Sequence, residues 1–207
     1  MLKILGRVSS INVRKVLWTC DEIGIAYDRE DWGTGFRSTK EASFQALNPK
    51  ALVPVVLDGD LVLTESNAIC RYLAAKHGRT DLLPAHLGAR AGVELWMDWQ
   101  IADLNGAWRY AVQAILRNKP VNPDPAQIAA SLEEWHQKML ILEGHLQSKS
   151  AYLCGEAFTL ADIVMGLAIN RYLRLPRPMP LLPAVSAYQA RLMLRLAAMR
   201  YIGEGTD

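Results

Sequence analysis

Three short stretches of this 207-residue chain carry groups suited to gripping a small peptide-like ligand. Near the N-terminus two hydroxyls and an amide, Ser9, Ser10 and Asn12, stand between a short apolar run and the first helix-patterned segment. Further on, Asn48-Pro49 leads into Val53-Pro54-Val55-Val56-Leu57. Pro54 heads a run that otherwise reads as a buried strand, where a proline cannot donate to a sheet ladder. Such a proline marks an edge, a bulge or a cis bond, and turns a backbone group towards something other than the next strand. Then Glu65-Ser66 opens an apolar-periodic segment. A helix start has free N–H groups and the positive end of the peptide dipole, so it can hold a carboxylate. Exposed backbone beside an anion-binding helix start is the equipment for holding a peptide.

The elements that must position these groups follow from periodicity and punctuation. Leu2 to Leu5 reads as a strand closed by Gly6. Asn12 can cap a helix whose buried stripe is Val13, Val16, Leu17 and Cys20, ended by Gly24. Ala26 to Glu30 reads as a strand and Glu41 to Leu47 as a short helix. Val53 to Leu57 and Leu61 to Leu63 form a hairpin around Asp58-Gly59-Asp60, and a helix from Ser66 to His77 stops at Gly78. After residue 80 the strand signals vanish. Residues 81–88, with Pro84 and Gly88, read as a linker. Arg90 to Asn118 is one long helical stretch, and Asp124-Pro125 caps a second helix with Ile128, Leu132, Trp135, Met139, Leu142 and Leu146 on one face. Phe158-Thr159-Leu160-Ala161-Asp162-Ile163 combines a capping box with a hydrophobic staple. Prolines from Pro176 to Pro183 precede a last helical segment, Ala184 to about Tyr201. The fold class is α/β plus all-α, with one domain over 1–80 and a helical one over 89–207.

Composition narrows the class of partner. Hydrophobic residues make up 51% and the net charge is only +2, so there is no basic face for nucleic acid. No apolar run approaches the ~20 residues that span a bilayer, and the N-terminus has no signal-peptide pattern. Cys20, Cys70 and Cys154 are scattered and odd in number, which fits reduced cytoplasmic thiols and neither a disulfide framework nor a zinc site.

In this order and spacing, Ser9-Ser10-Ile11-Asn12-Val13-Arg14-Lys15-Val16, Asn48-Pro49, Val53-Pro54-Val55, Glu65-Ser66-Asn67-Ala68-Ile69 and Phe158-Thr159-Leu160-Ala161-Asp162-Ile163 resemble the cytosolic glutathione S-transferases. The likeness covers essentially the whole chain and leans to bacterial, serine-using members near the theta, zeta and nu groups. It implies a thioredoxin-like domain, a helical domain, glutathione as co-substrate in the cleft between them, no metal, a cytoplasmic homodimer and a small electrophilic or peroxide substrate.

The resemblance also implies roles. Ser10, four residues before Arg14, would donate a hydrogen bond to the glutathione thiolate, with Ser9 as its neighbour in doubt and Asn12 as a second polar contact. Stabilising the charged form lowers the thiol's pKa and supplies the nucleophile. The bland alternative is that Ser9, Ser10 and Asn12 only cap the helix. Val53 would pair with the cysteinyl backbone beside a cis Pro54, where an edge-strand proline is the alternative. Glu65 would face the γ-glutamyl ammonium and Ser66 its carboxylate, against a capped helix with a solvated acid. Lys40 would reach the glycine carboxylate, or stay solvated. Trp108 and Arg109 would line the second-substrate pocket, although tryptophans on helices are more often core.

Two positions depart from the family pattern. Ala51 stands where a glycine is frequent after Asn-Pro-x, and Leu52 where a basic residue often precedes Val-Pro. Other readings keep the same site for isomerisation or thiol–disulfide exchange, or retain the body as a non-catalytic interaction module. No cysteine lies at residues 9–12, and Cys20 falls on the buried stripe of the first helix.

Overall fold

A computed structural model describes residues 1–147 and 150–203. The chain divides into two compact units, residues 1–90 with 195–203, and Ala91–Leu194. In the first unit β1 (Leu2–Leu5), α1 (Ile11–Ile23), β2 (Tyr27–Glu30), α2 (Ala42–Gln45), β3 (Val55–Asp58), β4 (Leu61–Thr64) and α3 (Ser66–Lys76) follow in order. The sheet runs β2-β1-β3-β4, with β1 and β2 parallel and the other pairs antiparallel. This is the expected thioredoxin-like arrangement, βαβ followed by ββα. Leu5, Trp32, Phe44 and Val55 pack as one core cluster, and Val13, Val16, Leu17 and Cys20 are buried along α1. The apolar stripe read from the sequence is therefore the face that α1 buries.

Three local differences matter for the site. Helix α1 starts at Ile11 with Ser10 at the cap position, so Asn12 lies inside the first turn and does not cap it. Pro54 precedes β3 and stays outside the ladder, which begins where Val55 faces Thr64 and Leu5. The last helical segment is broken into α8 (Pro183–Leu192) and α9 (Leu196–Ile202). Helix α9, which chain order alone assigned to the helical domain, packs on α1. Arg195 pairs with Glu22 at 2.5 Å, Tyr201 donates to Asp21 at 2.8 Å, and the Arg14 guanidinium donates to the Tyr201 carbonyl at 3.1 Å. Residues 204–207 of the expected helical domain lie outside the described residues.

The second unit is all-helical. Helix α4 (Leu87–Trp99) continues through a π-helical segment, Gln100–Leu104, into α5 (Asn105–Arg117), so the long stretch read as one helix carries a widened turn in its middle. Helix α6 (Pro125–Leu146) begins as expected, with the Asp124 carboxylate accepting from the Ala126 N–H. Helix α7 (Leu160–Leu173) is buried on nearly every side. Its Asp162, fully buried, accepts from the N–H groups of Leu153 and Thr159 and from the Thr159 and Tyr188 hydroxyls. Those donors satisfy both carboxylate oxygens, which makes this capping acid a folding element.

Candidate functional site

Asn48 shapes the loop in front of β3. Its carbonyl accepts from the Ala51 N–H at 2.9 Å, its side-chain oxygen from the Lys50 N–H at 3.2 Å, and its Nδ2 donates to the Leu52 carbonyl at 2.7 Å. Held this way, Ala51 sits at φ 54°, in the left-handed region that costs a side-chain-bearing residue about 1 kcal/mol or more. That is the physical reason a glycine suits this place. The loop delivers Val53 and the cis Val53–Pro54 bond. Neither the N–H nor the C=O of Val53 makes a hydrogen bond among the described residues. An unpaired strand-end donor and acceptor side by side is the antiparallel docking edge that a peptide backbone needs.

Opposite that edge stands the start of α3. Ser66 is its first residue and is buried, and Glu65 occupies the cap position at φ 67°, ψ 107° without capping the helix through its side chain. A non-glycine residue held in such a conformation, with its side chain not spent on the cap, is a feature that surrounding structure must enforce. The Glu65 carboxylate is instead paired with Lys50 at 2.7 Å, both side chains about half exposed. The first hydrogen bond of the helix runs from Ile69 N–H to the Glu65 carbonyl, so the positive end of the helix dipole opens at Ser66. Behind it, the buried Lys15 ammonium donates to Asn67 Oδ1 at 3.1 Å and ties α3 to α1.

Asn12, Asn48, Leu52, Val53, Pro54, Glu65 and Ser66 line a single cavity of about 80 Å³. It brings together four residues singled out from sequence, Val53, Pro54, Glu65 and Ser66, with Asn12. The side-chain oxygen of Asn12 is buried and has no hydrogen-bond partner, the kind of orphan that a ligand or a functional strain explains. Ser9 and Ser10 do not line this cavity. Ser9 is exposed, and Ser10 is half-buried at the α1 cap, its carbonyl accepting from Arg14 N–H at 2.9 Å. The Ser10 hydroxyl makes no capping bond, so capping does not account for it. Lys40 is exposed and away from the cavity lining.

Sequence reasoning overlooked Asn48 and Lys50 as site residues. Asn48-Pro49 reads in sequence only as a motif, and Lys50 as one more solvated lysine until the fold brings it to Glu65. In the helical unit the pair expected in a second-substrate pocket separates. Trp108 is buried, its ring edge-on to Trp135 at 5.2 Å with the Arg171 guanidinium 5.3 Å from its centroid, and so belongs to the core. Arg109, one residue on, is exposed on a groove of α5. Among the described residues no group of three or more His, Cys, Asp or Glu side chains could hold a metal, and no helix is long and apolar enough to cross a membrane. Burial pushes the Cys20 thiol far up and that of Cys70 to about 11, so neither is a ready thiolate.

Comparison with known proteins agrees with this geometry. Residues 1–75 match the family model described as glutathione S-transferase, N-terminal domain, and residues 107–195 that of the C-terminal domain. Glutathione S-transferase GstB of Escherichia coli K12 is 38% identical over 167 residues, 80% of each chain. Glutathione S-transferase 3 of Zea mays is 36% identical over 169 residues, 78% of this chain and 73% of its own. The crystal structure of a theta class glutathione S-transferase from Xanthomonas axonopodis pv. citri with glutathione bound superposes with a TM-score of 0.92 at 36% identity, over 100% of this chain and 99% of that one. Fold, cap and cavity, together with two family models in the expected order, place the chain in the glutathione S-transferase family.

Proposed function

We propose that this protein is a glutathione transferase: it binds glutathione along the Val53 edge, stabilises its thiolate, and lets that sulfur attack a small electrophile or a peroxide. The observation that carries the reading is the free Val53 N–H and C=O facing the start of α3 across one cavity. A γ-glutamyl peptide matches both walls. Its cysteinyl backbone completes the Val53 edge, its α-carboxylate meets Ser66 and the first N–H groups of α3, and its ammonium meets Glu65. Lys50, which pairs with Glu65, gives up that carboxylate to the incoming ammonium.

Ser10 is the thiolate's donor in this reading. Its hydroxyl is not spent on the helix, and the N–H groups at the start of α1 add positive potential at the same end. Asn12, with its unpartnered oxygen at the cavity, is the second polar contact. The protein's own cysteines stay spectators. The first unit then serves as the glutathione-binding domain and the helical unit supplies the contacts for the second substrate. Two copies in a reducing cytoplasm complete the proposal; Leu61 and Val62, exposed on the outer strand β4, favour the pairing. The test is consumption of glutathione thiol at neutral pH with an activated aryl halide and, separately, with an organic hydroperoxide. Protein-dependent turnover of either supports the proposal, and no turnover of both at saturating glutathione contradicts it.

A further inference from the structure

The core of the helical unit holds a row of side chains that glutathione chemistry does not use. Trp108 on α5 meets Trp135 on α6 edge-on, with ring centroids 5.2 Å apart, and Trp135 meets Tyr172 on α7 edge-on at 5.4 Å. All three rings are buried. The Tyr172 hydroxyl lies 2.7 Å from Nδ1 of His136, which follows Trp135 on α6 and is half-buried, so the row starts in the core and ends near water. Edge-to-face contacts alone are ordinary packing. The polar atoms along the row are not.

Indole and phenol rings can each lose one electron, and the outcome depends on where their protons can go. An oxidised indole is a radical cation, and it is trapped when its N–H proton passes to a base. Nε1 of Trp135 is buried and has no hydrogen-bond partner among the described residues, so a positive charge on that ring stays mobile. Trp108 has the Arg171 guanidinium 5.3 Å from its centroid, and that charge disfavours a second positive charge on the same ring. Tyr172 is the opposite case. Burial, with the Glu133 carboxylate adding to it, pushes its phenol up to about 12, so oxidation at neutral pH must also break the O–H bond. A neutral imidazole protonated at Nε2 accepts that proton at Nδ1, and His136 stands at hydrogen-bond distance.

We propose that Trp108, Trp135, Tyr172 and His136 form a path for single electrons, which drains oxidising equivalents from the helical core to a radical on Tyr172. A one-electron oxidant, an alkoxyl radical for example, takes an electron from Trp108 or Trp135 and leaves as an alcohol after protonation by water. The Trp135 radical cation takes an electron from Tyr172, whose O–H bond breaks as its proton forms an N–H bond at Nδ1 of His136. The products are a neutral indole, a neutral phenoxyl radical and an imidazolium. An electron from a thiolate, which becomes a thiyl radical, and the proton returned by His136 restore Tyr172. The path shields the core tryptophans from irreversible oxidation, and it does not depend on the transferase reading.

Laser photoionisation of the indoles in the full chain tests it, because light reaches buried and exposed rings alike. With the ejected electron scavenged, transient absorption should show tryptophan radicals decaying as tyrosyl radical grows, in a fast phase whose rate is independent of protein concentration. Tyr172→Phe keeps the ring and should abolish that phase. His136→Phe keeps a ring in the stack on Tyr172 and should slow the phase roughly a hundredfold, the contribution of a positioned base, and remove its slowing in deuterium oxide. Trp135→Phe should abolish the phase as well; if that variant fails to fold, the other two decide. Tyr201→Phe is the control, since Trp18 and Tyr201 stack at 6.3 Å as a second indole–phenol pair, and it should leave the phase unchanged. Survival of the phase in Tyr172→Phe, its loss in Tyr201→Phe, or a rate indifferent to His136→Phe would each overturn the proposal.

Discussion

Replacing Ser10 with alanine separates thiolate stabilisation from helix capping, because the structure predicts opposite outcomes for stability and chemistry. Ser10 holds the cap position of α1 through its backbone, but its hydroxyl bonds to none of the first N–H groups. Loss of a working serine cap costs about 1 kcal/mol of stability. Here the hydroxyl contributes no such bond, so Ser10→Ala should shift the unfolding midpoint very little. The chemistry should respond far more. One charge-assisted hydrogen bond contributes about 1.5–3 kcal/mol, and one pKa unit is about 1.4 kcal/mol, so the bound glutathione thiol should rise by roughly one to two units. The N–H groups of Ile11, Asn12 and Val13 remain in the variant, and they should keep the bound thiol below its value in free solution. Ultraviolet titration of the thiolate in the Ser9→Ala, Ser10→Ala and Asn12→Ala complexes, beside thermal melts of each, provides both readouts. A stability loss near 1 kcal/mol with an unmoved thiol pKa would refute the assignment and return Ser10 to capping. A pKa that rises in Ser9→Ala alone would move the donor by one residue.

Further outcomes follow from the same structure. Glu65→Gln should weaken glutathione binding roughly five- to tenfold and leave kcat at saturation nearly unchanged, since the γ-glutamyl end is remote from the sulfur and the carboxylate is half exposed; steady-state kinetics that show kcat falling in step with affinity would contradict that role. Ala51→Gly should relieve the left-handed strain and raise the melting temperature by about 2–4 °C, the response to nearly 1 kcal/mol in a chain of this size; a lowered midpoint would show that the loop is not strained. Hydrogen bonds from Lys76 and Tyr72 hold the Asp58 carboxyl below the usual carboxylate range. A depressed carboxyl contributes stability above its unfolded pKa and loses it as pH falls through the folded value. Asp58→Asn should therefore flatten the acid limb of the stability–pH curve, measured by denaturant unfolding from neutral pH to below pH 4, and an unchanged limb would remove Asp58 from that account.

How much of this was legible in the sequence depends on what each feature needs. The β1, α1, β3, β4 and α3 elements were readable because a buried stripe and a stop residue are local signals, such as Val13 to Cys20 closed by Gly24. The walls of the cavity, Val53-Pro54 and Glu65-Ser66, were readable because proline before a strand and an acid before a helix are themselves local. Lys50 was not, since its partner Glu65 is distant in sequence and meets it only when the hairpin folds back. The conformation of Ala51 is likewise set by the hydrogen bonds of Asn48, so the residue type argued against the very backbone it adopts. Helix α9 looked like the end of a bundle because its apolar residues fit any partner, and ion pairs from Arg195 and Arg200 to α1 decide where it packs. The widened turn at Gln100–Leu104 has no periodic signature. Trp108 shows the limit of placing a residue by its helix: one position separates a core tryptophan from the exposed Arg109.

Titration calorimetry of the unmodified chain with reduced glutathione tests the central claim most directly, because it needs neither a known electrophile nor a variant. The free Val53 edge and the α3 start predict a saturable heat with one site per chain and a dissociation constant in roughly the micromolar-to-millimolar range. An absence of heat and of any thermal shift at about ten millimolar glutathione, well above that range, would contradict it.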